Sequence, residues 1–479
     1  MTGTAREATW ASSARVTLAS QWARLVLQVV GFVVLSRLLP PSDFGLIAMV
    51  VVVANLAGLV ADFGLSLAGL QADELTNGQK NNLFWLNTAA GAVGAVLIVA
   101  GSPALVLFYD EPRLWGIGCV IAGSLLIGGI GVQFRVEINR ARRFFALAVQ
   151  DVVAACAGLV TAVVGALLGW GYWALVLLTV VPVVLTTALA VATAGWRPGR
   201  YARAEPIAGL LRFGSHNLLL QLANMLSRSV DVMAVGRAQG ATELGLYSRA
   251  TQLIAMAFQQ LVTPLTRVVL PRLVELRKDR ERFDAQLVRL QGMISTVLPL
   301  LISLLAAVST PLVVVFLGPP WEKTGEILLV LCTGALMQAV AYIFYWAYLA
   351  DGRSGVLLLS ELPGRAVMII GAIVAAPAGV TAVAWVMTAG QAVMLVTGTV
   401  FAQRLGLPGL RLLRAAVVPV LVCGLAFGAS VGAQALISQS TSFTRLLVGA
   451  VAWAVPVGAF ALVPPVRRHI AAMIGTLRR

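Results

Sequence analysis

Apolar runs of about 20 residues recur along the whole chain, which is the length an α-helix needs to cross the hydrocarbon core of a bilayer. The first six begin near Val16, Phe44, Asn82, Trp115, Ala146 and Tyr172, and the next six near Ser215, Leu244, Gly292, Glu326, Gly355 and Gly379. A last pair begins near Ala415 and Leu446, after a short basic connection at 404–414. No water-soluble core can enclose so much apolar surface in 479 residues that are 59% hydrophobic and only 11% charged. The expected fold class is an all-α polytopic membrane protein with about 14 transmembrane helices.

The net charge of +15 reads as membrane topology and not as nucleic-acid binding, because the basic residues lie in short loops between spans. With Met1 in the cytoplasm, the inner loops collect Arg135, Arg140, Arg142, Arg143, Arg197, Arg200, Arg277, Lys278, Arg280, Arg404 and Arg411, among others. The outer loops hold Arg37, Arg113, Arg237, Lys323 and Arg445. That bias places both termini in the cytoplasm, and a missed span would invert half of it. The four cysteines fall in apolar runs without C-x-x-C spacing, and there are only two histidines, His216 and His469. Neither a disulfide frame nor a metal site is expected, and no Gly-Lys dipeptide offers a P-loop, so no cofactor is expected either. Around 272–289, Leu273, Leu276, Phe283 and Leu287 interleave with Arg277, Lys278, Arg280 and Arg282. That stretch reads either as a surface helix on anionic lipid or as a solvated linker.

A repeat organises the spans. Arg37, Ser42, Asp43, Gly45 and Leu46 return as Arg237, Thr242, Glu243, Gly245 and Leu246, each 200 positions later (237 − 37 = 200). An even number of spans separates the copies, so they run in the same direction, related by an axis along the membrane normal. The expected domains are residues 1–203 and 204–403, two parallel six-helix bundles facing a central cleft, and 404–479, a terminal helix pair. Ser42 and Thr242 read as N-caps, with Asp43 and Glu243 in the first helical turns.

Charged residues inside spans point to function, because an ion at a helix centre costs about 2.5–3.5 kcal/mol unless it faces a cavity or a partner. Gln21, Arg24 and Gln28 form one stripe on the first span; Gln221, Asn224, Arg228 and Asp231 form another on the seventh, its repeat partner. Arg228 and Asp231 can also neutralise one another. Arg249 stands in the eighth span, and Glu361 with Arg365 in the eleventh makes an i,i+4 pair in the Glu-first orientation. Arg24 has no acidic neighbour on its own helix, which makes it the leading substrate-binding residue.

The stretch from Ser36 to Leu46, the sequence Ala61, Asp62, Phe63, Gly64, Leu65, and Phe84, Trp85, Leu86, Asn87 carry a resemblance. So do Asp231 to Arg237, Leu244 to Ala250, and Pro271 in the second half. Over roughly residues 15–290, together they resemble the Wzx-type polysaccharide exporters, flippases of the multidrug/oligosaccharidyl-lipid/polysaccharide superfamily. The resemblance implies a non-enzymatic transporter that flips undecaprenyl-diphosphate-linked oligosaccharide from the cytoplasmic to the outer leaflet of the plasma membrane. The product would serve exopolysaccharide or lipopolysaccharide assembly, with a polysaccharide polymerase and other assembly proteins as partners. Arginine forks suit a diphosphate, so Arg24, Arg228 and Arg249 are expected to bind it, helped by Gln21, Gln28, Gln221 and Asn224. Asp231 and Glu361 are the carboxylates that could couple an ion. Two alternatives stay open: a cation-coupled small-molecule exporter, and a membrane-embedded polymerase or glycosyltransferase.

Overall fold

The computed structural model describes the backbone of residues 3–62, 76–202 and 208–462; within these, the side chains of 3–18, 60–62, 208–224, 226–228 and 461 lie outside the description. The described residues form long helices joined by tight turns. They are α1 (Gly3–Leu38), α2 (Pro41–Asp62), α3 (Asn77–Tyr109), α4 (Arg113–Arg140), α5 (Phe144–Leu167) and α6 (Tyr172–Thr193). A helical stretch follows at Ala208–Leu276, broken at Gly240 by non-helical torsions (φ 77°, ψ −176°). The break divides it into α7 (208–239) and α8 (241–276). After these come α9 (Arg280–Ala307), the short α10 (Ser309–Phe316), α11 (Glu322–Ala350), α12 (Ser354–Ala375), α13 (Val380–Arg404), α14 (Gly409–Leu436) and α15 (Ser442–Leu462). Each of the fourteen expected spans has its long helix, and thirteen stretches of the described residues are long and apolar enough to cross a membrane. The protein is a multi-pass membrane protein.

Two compact units divide between Gly245 and Leu246, inside the first turn of α8. In the first, α3 packs on α4, α5 on α6, α4 on α6, α1 on α5, and α2 on α3, α4 and α6. In the second, α9 packs on α11 and α14, α13 on α11 and α12, and α15 on α14. Without a hydrophobic drive between helices in lipid, close backbone approach and buried polar contacts hold such bundles together. At the α3–α4 crossing a Cβ on Gly91 would stand 2.8 Å from the Leu125 carbonyl oxygen, and one on Gly129 2.6 Å from that of Asn87. In the second unit Gln291 donates to the Val340 carbonyl at 3.1 Å and Gln434 to that of Ala307 at 2.8 Å, while the Tyr348 hydroxyl donates to Gly398 at 2.7 Å.

The repeated motif does more than start helices. Pro41 is the first residue of α2, a position suited to its fixed φ and missing N–H, so Ser42 lies inside the helix and is not its cap. A Cβ on Gly45 would fall onto the carbonyl oxygen of Ala241, and one on Gly245 onto that of Pro41. Position 41 matches 241 and 45 matches 245, so the starts of α2 and α8 cross by the same contact made twice, as in an isologous interface.

The repeat continues at a shifted offset. Arg143 is the N-cap of α5 and Arg353 that of α12, a spacing of 210 (353 − 143 = 210). Arg143 donates to the Thr193 carbonyl at the end of α6 (2.7 Å), and Arg353 to the Leu405 carbonyl after α13 (3.4 Å). In both halves an arginine caps a helix C-terminus, where unpaired carbonyls favour a cation. The change from 200 to 210 falls where α10 intervenes.

The basic stretch around 272–289 is neither a separate surface helix nor a long linker. α8 runs to Leu276 and α9 starts at Arg280, so only 277–279 connect them, with Asp279 capping α9 by accepting from the Arg282 amide at 3.1 Å. Leu273, Phe283 and Leu287 are fully buried in protein, which is why their apolar spacing looked amphipathic.

Candidate functional site

α1 is a spanning helix with two kinds of exposed side chain. Trp22, Val26 and Val29 are exposed on one side, suited to lipid, while Gln21, Arg24 and Gln28 make an exposed polar stripe elsewhere on the helix. An arginine in a span does not rest against hydrocarbon, and Arg24 has a partner. Its Nη1 stands 3.1 Å from Asp151 Oδ2 on α5. The other oxygen of Asp151, Oδ1, accepts from Arg135 Nη2 on α4 at 2.9 Å. One carboxylate thus bridges two guanidiniums, the three side chains coming from three helices, and among the described residues this leaves one unit of positive charge over. The side chains remain 43% (Arg24), 35% (Arg135) and 20% (Asp151) exposed, so solvent or a ligand can reach them.

A second ionic pair lies at the same end of α4. Lys80, in the first turn of α3, meets Glu137 at 2.7 Å, and Gln133 donates to the same carboxylate at 3.1 Å. Thr76 and Gln79 start α3 with a reciprocal capping box. Beside it the chain after α6 is fastened down: Asn82 exchanges hydrogen bonds with the backbone of Ala202, and Trp85 donates to the Gly199 carbonyl at 2.9 Å. Phe84, Phe134 and Trp196 pack edge to face around Ile138 and Ala190. Together these contacts fix the ends of α3 and α4, and so the position of Arg135.

Asp231 is half-buried in α7. Gln221, Asn224 and Arg228 fall on α7 outside the described side chains. Arg249 is buried in α8 and donates to Gln252, one turn on along the same helix. Glu361 accepts from its helix neighbour Arg365 at 2.6 Å, the internal pair that the i,i+4 spacing anticipates. At the opposite end of α4, outside the spans, hydrogen bonds from Arg113 hold Glu111 below the ordinary carboxylate value, with partial burial opposing. Among the described residues no three His, Cys, Asp or Glu side chains gather as a metal site.

Asp151 and Arg135 were missed from sequence. Arg135 reads there as a loop residue but stands inside α4, more than a turn before its end. One signal was available: Asp151 lies seven residues into α5, as Glu361 lies seven residues into α12.

A family model described as polysaccharide biosynthesis protein matches residues 34–326, more than half of the chain. The chain belongs to the polysaccharide biosynthesis protein family. Among its relatives is the teichuronic acid biosynthesis protein TuaB of Bacillus subtilis, 25% identical over 373 residues, which cover 73% of this chain and 75% of that protein. The lipopolysaccharide biosynthesis protein WzxC of Escherichia coli is 24% identical over 321 residues, 66% of this chain and 64% of that one. The succinoglycan biosynthesis transport protein ExoT of Rhizobium meliloti is 25% identical over 354 residues, 72% and 70% of the two chains. In fold, the family member resembles the lipid II flippase MurJ in an inward closed conformation, with a TM-score of 0.70 at 12% identity over 94% of this chain and 99% of that one. It also resembles an inward-facing multidrug transporter of the MATE family, with a TM-score of 0.61 at 13% identity over 80% and 94% of the chains.

Proposed function

We propose that this protein flips a lipid-linked oligosaccharide diphosphate, such as an undecaprenyl-diphosphate-linked repeat unit, from the cytoplasmic to the outer leaflet of the plasma membrane. The supporting observation is Arg24: a half-exposed guanidinium on the polar stripe of a spanning helix, in a cluster with surplus positive charge. The family and the names of TuaB, WzxC and ExoT agree with a polysaccharide precursor as cargo. A substrate with a diphosphate anion, a polar sugar and a long apolar tail needs a cationic surface reachable from lipid, and guanidinium forks match phosphate oxygens.

On this reading both termini lie in the cytoplasm, the repeats 1–203 and 204–403 alternate access to the two leaflets, and Arg228 and Arg249 join Arg24 as substrate-binding residues. Moving negative charge outward across an inside-negative membrane releases about 2.3 kcal/mol per charge per 100 mV, a drive that needs no nucleotide. Asp231 and Glu361 are the carboxylates available to couple an ion, Glu361 from within its pair with Arg365. In cells, Arg24→Ala is expected to insert at wild-type level yet leave lipid-linked oligosaccharide on the cytoplasmic leaflet. Normal polysaccharide export by that variant at equal protein level would refute the role of Arg24.

A further inference from the structure

We propose that Asp151 is the exchangeable counter-ion of a two-arginine anion site: the diphosphate of the substrate displaces its carboxylate from Arg24 and Arg135. The proposal rests on the flippase reading and adds two residues to it. Each guanidinium carries five donors, and the carboxylate takes one terminal nitrogen from each, Arg24 Nη1 at 3.1 Å and Arg135 Nη2 at 2.9 Å. The other terminal nitrogen of Arg135, Nη1, is buried and has no hydrogen-bond partner among the described residues. A buried, unpaired charged donor is costly, and a site that holds one is incomplete until a ligand arrives.

The second half of the chain supplies the contrast. Glu361 stands at the equivalent place on α12, where its partner Arg365 lies one turn along the same helix. Asp151 instead answers two cations from two other helices, and one negative charge cannot satisfy both. A diphosphate, with several anionic oxygens, can accept from both forks at once. Its approach puts like charge beside the carboxylate, which turns away; when the diphosphate leaves, the carboxylate returns to the arginines. Asp151 is therefore a positioning residue that holds the two arginines ready and competes for them, easing release. Arg135 is a binding residue.

The test uses the full chain in nanodiscs of phosphatidylcholine, with farnesyl diphosphate and inorganic diphosphate as probes. Asp151→Asn keeps the shape and removes the competing charge, so it is expected to bind both probes about tenfold more tightly than wild type, with slower dissociation. Arg135→Gln is expected to bind both about tenfold more weakly. Farnesyl diphosphate binding more tightly than the free anion in every form identifies the lipid-linked species as the ligand. A residue that served only to hold the fold would give weaker binding on Asp151→Asn, so weaker or unchanged binding overturns the exchange. Unchanged binding by Arg135→Gln overturns the two-arginine site. Either result would leave the flippase reading standing, whereas a wild-type protein that binds neither probe overturns both.

Discussion

Side chains that cross between helices carry the chemistry at the residue scale. Lys80 and Glu137 are largely buried, and Gln133 completes the carboxylate's hydrogen bonds. Glu137→Ala leaves a part-buried ammonium and a buried amide without this acceptor, a change expected to cost about 1–3 kcal/mol, read as a lower unfolding temperature in detergent micelles. Removing an exposed pair such as Arg272 with Glu275 is expected to cost under about 1 kcal/mol. The Glu361–Arg365 pair was legible in the sequence because four residues on a helix fix the geometry. Asp151 was not, because its partners lie 16 and 127 residues away and only the packing of α1, α4 and α5 brings them together.

At the scale of elements, the helices themselves were readable because each must satisfy its backbone inside lipid and therefore leaves a long apolar run. What the runs did not disclose is how helix starts meet. The glycines of the repeated motif looked like part of a capping loop, and the structure makes them the crossing of α2 and α8. Gly45→Ala and Gly245→Ala each drive a methyl group into a backbone carbonyl. Each is expected to destabilise by about 1–3 kcal/mol, since overpacking a tight contact forces the backbone to shift. Gly292 on α9 has nothing within 4 Å of an added Cβ, so Gly292→Ala is expected to be neutral or to stabilise by up to about 1 kcal/mol through helix propensity. Thermal unfolding of the three variants side by side separates a packing role from propensity. The basic stretch at 272–289 misled for a related reason: its leucines and phenylalanine alternate with charge because two helix ends pack against protein, not because one helix lies on lipid.

For the whole molecule, the long membrane helices were legible from hydropathy and the repeat is read from a fixed offset, since both signals are one-dimensional. The shift to 210 was hidden, because α10 is too short to leave a span-length signal. The charge bias of the loops carries a topological expectation: cysteines placed at Arg197 and at Arg113 label from opposite sides of the membrane, with Arg197 on the cytoplasmic side. Transport itself is tested most directly in proteoliposomes, by following a fluorescent lipid-linked oligosaccharide diphosphate from one leaflet to the other with a reagent that reaches only the outer face. Wild-type protein is expected to raise the transfer rate well above that of protein-free vesicles, and Arg24→Ala to bring it back to that baseline. Transfer no faster with the wild-type protein than without it would contradict the assignment of this protein as a flippase.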